Sequence, residues 1–309
     1  MNAVEIRQIT KNFGAVEALR GLSFDVKEGE IYGLVGPDGA GKTTLMRILT
    51  GIMSVGSGSA TIGGVDVIKD PESVKNIIGY MSQRFSLYGD LSVSENMEFY
   101  ADLFEVPRKE REKRIKKLLE FSRLGEFLNR RADALSGGMK QKLGLSCALI
   151  HTPRILFLDE PTTGVDPVSR RELWMILYDL WKDGMTILVS TPYLDEAERC
   201  GRVGFINKGR LVLEGTPEEI KKAADFSVIE ARISDVINSR KKLQETKIIG
   251  NYVLFGENMH FVSYDANKDM KAIKESLQKS GIECLEIHEI EPTLEDIFLF
   301  HTSEGKGKE

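Results

Sequence analysis

The chain has 309 residues, with 42 Lys and Arg against 47 Asp and Glu, for a net charge of -5. Its composition, 41% apolar and 29% charged, supports a packed core and excludes general disorder, and the acidic balance argues against general nucleic-acid binding. No apolar run approaches the roughly 18 residues of a membrane span. The opening MNAVEIRQITKNF carries charges where a secretory signal has an apolar stretch. Cys147, Cys200 and Cys284 are odd in number and far apart, which predicts neither a disulfide framework nor a metal cluster and fits a reducing cytoplasm. The length suggests roughly two domains at about 100–200 residues each.

In chain order, VEIRQI and LSFDVKEGEIYGLVG read as strands, with Glu28-Gly29-Glu30 as a turn. Ile31 to Val35 is a short apolar run of the kind a buried parallel strand shows. Helical spacing follows from Thr43 to Thr50, with Gly51 as a stop. Residues from 92 to about 150 read as a helical segment, with Ser94 opening its first helix. The basic run Lys109 to Lys117 there reads as a solvated face, and Ile115, Leu118 and Leu119 as the buried side. From Ile155 strands and helices alternate: ILFLDE, RRELWMILYDLW, MTILVS, LDEAERC, RVGFIN. That alternation predicts a mostly parallel sheet covered by helices, an α/β fold. A boundary is expected between Thr216 and Asp225. Beyond it SVIEARI, DVINSRKKLQ, KIIGNYVLFG, MHFVSYD, KDMKAIKESLQKSG and ECLEIHEI follow the β-α-β-β-α-β order of a ferredoxin-like α+β domain. A last helix is expected near Pro292-Thr293, and SEGKGKE reads as a disordered tail.

Three motifs carry chemistry. The first is GPDGAGKTT: Gly36, Pro37, Asp38, Gly39, Ala40, Gly41, Lys42, Thr43 and Thr44. It matches G-x-x-x-x-G-K-[ST] between a predicted strand and helix. Its glycines let consecutive N–H groups aim at phosphate oxygens, and the helix adds its positive end. Lys42 would reach the β- and γ-phosphates, and the Thr43 hydroxyl would ligate Mg²⁺. The second is ILFLDEP, where Asp159 would hold Mg²⁺ and Glu160 would take a proton from the attacking water. The third is LSGGMKQ, where Ser136, Gly137 and Gly138 open a helix as a second anion-binding nest or as a simple cap. A second nest makes sense if it closes over a nucleotide held by another subunit.

These motifs, in this order, resemble the nucleotide-binding domain of ATP-binding-cassette (ABC) transporters over about residues 4 to 216. The resemblance implies a P-loop NTPase cassette over 1–220, with a helical subdomain at about 92–150. It implies ATP and Mg²⁺ as ligands and a dimer that sandwiches two ATPs. It makes Gln83 the glutamine that senses metal and γ-phosphate, and Phe13 the aromatic that stacks on adenine, against a core role for that ring. It makes Asp166, in TTGVDP, part of the loop that communicates across the dimer. Phe85, Leu87 and Tyr88 fall where the family docks a membrane subunit; core packing is their alternative. The accessory domain at 226–302, ending in EPTLEDIF, resembles ATPase subunits of drug and antibiotic exporters with separate membrane subunits. MSQRFSLYGDLSV and GPDGAGKTT resemble the first half of tandem ATPases in that branch. Such a subunit would sit on the cytoplasmic face of the cell membrane and bind no nucleic acid.

Two departures stand out. Asp38 replaces the family's usual Asn, and is expected to face outward or be paired. Pro192 stands where the family carries a histidine that contacts the γ-phosphate. His151, His260, His288 and His301 do not match that position and read as surface or satisfied groups. Losing one transition-state contact costs roughly 10²–10³ in rate. Either this chain pairs with a histidine-bearing cassette, or it forms homodimers in which Thr191, Tyr193 or water substitutes. A regulatory subunit that barely hydrolyses ATP, and a soluble dimerising module without a membrane partner, are the competing readings.

Overall fold

A computed structural model describes residues 1–83, 87–235, 239, 242 and 252–303. It divides into two compact units, Met1–Glu214 and the chain from Gly215 onward. The first unit holds two sheets. One is antiparallel, with β2 (Val16–Lys27), β1 (Asn2–Phe13), β4 (Ser57–Ile62) and β5 (Val65–Asp66) side by side. The other has six strands in the order β10 (Arg210–Gly215), β9 (Arg202–Asn207), β3 (Ile31–Val35), β8 (Thr186–Thr191), β7 (Ile155–Asp159) and β6 (Ile78–Met81). From β9 to β6 every pairing is parallel. Every residue of β3, β7 and β8 is buried, as both faces of a parallel sheet are covered. One core joins the two sheets and α1 (Lys42–Leu49) through side chains such as Ile6, Leu22, Leu34, Leu45, Phe157 and Leu188. The α/β fold expected from the alternation is the fold observed.

The parallel register places the chain segments that matter at one edge. Val35 pairs with Thr191, Asp159 with Ser190, and Met81 with Leu158. The segments that follow β3, β7, β8 and β6 therefore leave the sheet at its carboxyl end, where open α/β sheets bind ligands.

Between β6 and β7 lies the helical segment, with α3 (Val93–Leu103), α4 (Arg108–Ser122) and α5 (Gly137–Leu149). It has its own core, which includes Val93, Met97, Ile115, Leu119, Leu143 and Cys147. Ile115 and Leu119 are buried, Leu118 is half-buried, and Lys109, Lys113, Lys116 and Lys117 are exposed. The expected opening at Ser94 is corrected to Ser92. The Ser92 hydroxyl accepts from Glu95 N at 3.2 Å, and Ser92 N donates to Glu95 Oε2 at 2.7 Å. Only a Ser three residues before a Glu closes that reciprocal pair, so the spacing selects Ser92. The other α-helices before the C-terminal sheet are α2 (Pro71–Ile77), α6 (Pro167–Lys182), α7 (Leu194–Ala197) and α8 (Pro217–Lys222).

In the second unit β12 (Tyr252–Phe255), β13 (Asn258–Ser263), β11 (Ser227–Ile233) and β14 (Cys284–Ile290) form an antiparallel sheet in that order. With α9 (Ala266–Lys279) between β13 and β14, this is the strand order of a split β-α-β domain. The helix expected at DVINSRKKLQ and the start of KIIGNYVLFG lie largely outside the described residues, as does the tail after Ser303. The last helix, α10 (Leu294–Ser303), starts where expected.

Candidate functional site

The P-loop spans the turn from β3 into α1. Gly41 caps α1 with φ +108°, and a Cβ there would sit 2.6 Å from the Ala18 carbonyl oxygen, so both conformation and space require glycine. No side chain caps this helix, so its first N–H groups and positive end face the loop. Gly36, Ala40 and Lys42 are buried, while Pro37, Asp38 and Gly39 are exposed and Thr43 and Thr44 half-buried. Asp38 is exposed, so its charge is screened by solvent.

The side chains of five residues singled out in the sequence, Lys42, Thr43, Gln83, Asp159 and Glu160, meet here. Lys42 Nζ donates to the carbonyl oxygens of Gly36 at 2.7 Å and Pro37 at 3.0 Å, and pairs with Glu160 Oε1 at 3.2 Å. Both members of that pair are at least 95% buried, with 3% and 5% side-chain exposure. Gln83 Nε2 donates to the other oxygen of Glu160 at 2.8 Å, and Thr163 Oγ1 to the same oxygen at 3.2 Å. Thr43 Oγ1 donates to Asp159 Oδ1 at 3.2 Å, and Ser190 Oγ to that atom at 2.6 Å. Asp159 Oδ2 is buried and has no hydrogen-bond partner among the described residues. Burial pushes the Asp159 carboxyl above the ordinary aspartate value, against the pull of Ser190 and Thr43. An acceptor buried without a donor beside a P-loop is chemically suited to a cation.

Glu160 adopts φ +51°, a left-handed conformation that costs a non-glycine residue energy. Its amide donates to Ser190 O at 3.0 Å and Ser190 Oγ at 3.1 Å, which fixes it there. The carboxylate thus turns back over Lys42 and does not continue along β7.

The remaining candidates gather elsewhere. Ser136 caps α5 by accepting from Met139 N at 3.3 Å. A Cβ on Gly138 would lie 2.4 Å from Ser169 Cβ, so only glycine lets α5 pack against the start of α6. Gly137 approaches the Gly164 carbonyl. Asp166 caps α6 through Val168 N and Ser169 N, which holds its carboxyl below the usual range. Ser136, Gly137, Gly138 and Asp166 therefore form one neighbourhood, and no hydrogen bond or ion pair among the described residues joins it to the P-loop. Phe13 is 48% exposed at the end of β1, with Lys11 Nζ 5.6 Å from its ring centre, so the core alternative is corrected. Tyr88 is half exposed and Leu87 packs partly against the helical core, while Phe85 lies outside the described residues.

Pro192 follows directly on Thr191, whose side chain is fully buried. The Thr191 hydroxyl donates to Glu196 Oε2 at 2.6 Å and accepts from Tyr193 N at 3.0 Å. Its donor is taken, which speaks against Thr191 as a stand-in for the histidine. Thr163, Ser190, Thr162 and Glu196 were missed in the sequence. The only signal was position: each lies within five residues of a motif at the end of β7 or β8.

The ABC transporter family profile matches residues 19–163. The chain is 49% identical over 219 residues to the probable multidrug ABC transporter ATP-binding protein YbhF of Escherichia coli (strain K12), covering 70% of this chain. It spans only 38% of that protein's length. The daunorubicin resistance ATP-binding protein DrrA2 of Streptomyces coeruleorubidus is 33% identical, over 96% of this chain and 94% of its own length. The Nod factor export ATP-binding protein I of Rhizobium etli is 34% identical, over 97% and 93%. Among solved structures, a dimeric ATP-binding cassette in a post-hydrolysis state bound to ADP and Pi aligns with TM-score 0.63 at 27% identity, over 69% of this chain and 98% of that one. The cbiO1 subunit from Clostridium perfringens, part of the ABC transporter complex cbiONQ, aligns with TM-score 0.66 at 27% identity, over 72% and 91%. Among the described residues no helix is long and apolar enough to cross a membrane. With a P-loop, a buried carboxylate pair and relatives that match over most of both chains, the chain belongs to the ATP-binding proteins of the ABC transporter family.

Proposed function

We propose that this chain powers export through membrane-spanning subunits that are separate polypeptides. The observation that carries the reading is the junction of buried Lys42, Asp159 and Glu160 with Thr43 and Gln83 at the P-loop. In it Lys42 would exchange its contacts with Gly36, Pro37 and Glu160 for the β- and γ-phosphates of ATP. Backbone N–H groups from Gly39 to Thr44 would hold the remaining phosphate oxygens. The exposed Phe13 ring would stack on adenine. Asp159, Thr43 and the Gln83 amide oxygen would hold Mg²⁺, and the unpartnered Asp159 Oδ2 is the atom that supports this fit. When bound, the ion neutralises charge on the β- and γ-phosphate oxygens. Glu160, released from Lys42 and steadied by Gln83 and Thr163, would take the proton of the attacking water.

The export reading rests on the names of the relatives that match over most of both chains. In it residues 1–220 are the cassette, with 92–150 as its helical subdomain, and 226–302 an accessory domain. The nest at Ser136, Gly137 and Gly138, with Asp166 beside it, would meet the ATP of a second cassette. Pro192 offers no polar side chain and no N–H. We therefore assign this chain the slower of two unequal sites, opposite a histidine-bearing cassette; a homodimer and a mainly regulatory role are the alternatives. The chain would sit on the cytoplasmic face of the membrane through its partners.

The test is affinity purification of the chain from gently solubilised membranes of its own host. A polytopic membrane protein together with a histidine-bearing cassette is the expected result. A membrane protein without a second cassette would overturn the unequal-site assignment. No membrane protein at all would overturn the transport reading.

A further inference from the structure

We infer that Glu196 is a positioning residue for ATP hydrolysis, acting by tying the Glu160 loop to the end of β8. The inference rests on the reading of Glu160 given above. Glu196 lies in α7 and is fully buried, at 0% exposure. Its two oxygens are divided between two segments of the site. Thr162 Oγ1 donates to Glu196 Oε1 at 2.6 Å, and Thr191 Oγ1 donates to Glu196 Oε2 at 2.6 Å. Thr162 is two residues past Glu160, and Thr191 immediately precedes Pro192.

Each tether leads to the reacting groups in one more step. Thr163 N donates to Glu160 O at 3.2 Å, and the Thr163 hydroxyl to the Glu160 carboxylate, so the loop that Thr162 anchors is the loop that orients Glu160. On the other side Gly36 N donates to Thr191 O at 3.2 Å, which joins the end of β8 to the start of the P-loop. A third arm runs to α6. Arg170 Nε lies 3.6 Å from Glu196 Oε1, and its guanidinium sits 4.4 Å from the Tyr193 ring centre. α6 begins at the Asp166 cap, so the same carboxylate touches the helix that follows the Asp166 loop.

The energetics favour a role in geometry. A buried carboxylate is costly unless paired and hydrogen-bonded. Here both oxygens have short hydroxyl donors and one faces a cation. Glu196 reaches neither Lys42 nor Glu160 directly, so its effect on chemistry must pass through the loops it joins. Displacing a reacting group by about 1 Å costs up to about 10² in rate. Pro192 lies between Thr191, which Glu196 binds, and α7, so this carboxylate anchors the chain beside the position that lacks a γ-phosphate contact.

The test is steady-state phosphate release by the purified full chain, with ATP affinity measured in parallel. Glu196→Ala is expected to lower kcat by about tenfold to a hundredfold while ATP affinity stays within about twofold, since the backbone bond from Gly36 to Thr191 remains and Glu196 itself makes no contact with the P-loop. Glu196→Gln is expected to restore kcat to near wild type. Its oxygen would still accept from Thr162 and its NH₂ would donate to Thr191, whose hydroxyl has a second lone pair. Thr162→Val removes one tether alone and is expected to lower kcat in the same direction. An Ala variant with wild-type kcat would overturn the proposal. So would a Gln variant as impaired as the Ala variant, or an equal loss of kcat and ATP affinity. If the Ala variant does not fold, Thr162→Val decides: unchanged kcat overturns the proposal. Glu160→Gln in the same assay separates the two readings. If it still releases phosphate, the role of Glu160 fails first, whatever Glu196 does.

Discussion

The two units bury charge in opposite ways. In the cassette the network of Thr43, Ser190 and Asp159 ends in a buried carboxylate oxygen with no partner among the described residues. In the C-terminal unit a comparable network closes on itself. His260 Nδ1 meets Asp296 Oδ1 at 2.8 Å and His260 Nε2 meets Glu230 Oε2 at 3.0 Å. The other oxygen of Asp296 accepts from Thr293 N at 2.9 Å and Thr293 Oγ1 at 2.6 Å, and Asn258 donates to Glu230 at 2.8 Å. The second network clasps β11, β13 and the start of α10, which explains the Thr and Asp of EPTLEDIF as cap and clasp. Satisfied buried polar groups fix a structure, whereas an unsatisfied one points to chemistry.

The largest test of this contrast is Lys42→Ala. It removes the cation paired with Glu160, beside the open network, and is expected to weaken ATP binding by about 10²–10³, as loss of a buried charge contact does. Titration calorimetry with ATP checks this; an affinity within a few-fold of wild type would break the comparison. Pro192→His comes next. It would add a γ-phosphate contact and raise phosphate release by up to about 10²-fold. A variant no faster than wild type would mean that the site does not lack that contact.

The closed network gives a pH signature. Burial pulls the His260 pKa down, but its hydrogen bonds to Asp296 and Glu230 outweigh that and hold it above the ordinary value. A raised folded pKa means that the clasp's stabilisation is complete below about pH 6.5, the unfolded histidine value, and is lost as pH rises through the folded value. Asp296 works in the opposite direction. Burial raises it, yet the bonds from His260 and Thr293 leave it lowered, so its contribution is lost as pH falls through its own folded value. Amide exchange in β13 and α10 should therefore be slowest between these limits. It should quicken toward alkaline pH beyond the ordinary base-catalysed trend, and His260→Asn should remove that excess. The smallest effect is expected for Asp38→Asn. Asp38 is exposed, so its repulsion of phosphate is screened, and ATP binding should tighten by only about twofold to fivefold, less at high salt.

The site was legible where one residue type at a fixed spacing is required by the backbone. Gly41 and Lys42 announce the P-loop because few other residues fit those demands, and Asp159-Glu160 close an apolar strand as a buried parallel sheet requires. Glu196 was not legible, since in LDEAERC it looks like any acid on a short acidic helix. Only the fold brings Thr162, from the turn after β7, to its oxygen. The same limit applies to the antiparallel sheet. SGSATI in β4 is polar, begins with exposed residues and carries a glycine at φ +92°, so no alternation marks it as a strand. Its partners in β1 decide its conformation. In the C-terminal unit the reverse held for β13, where MHFVS alternates between buried and half-buried positions and so reads directly as a strand.

The most direct measurement is ATP affinity and phosphate release in parallel for the wild-type chain and Glu160→Gln. The account predicts that the variant binds ATP as tightly as wild type or more tightly, because Lys42 loses its carboxylate partner and is free for phosphate, while phosphate release falls to the level of Lys42→Ala. Phosphate release at the wild-type rate would contradict it, for the carboxylate over Lys42 would then not be the base that activates water.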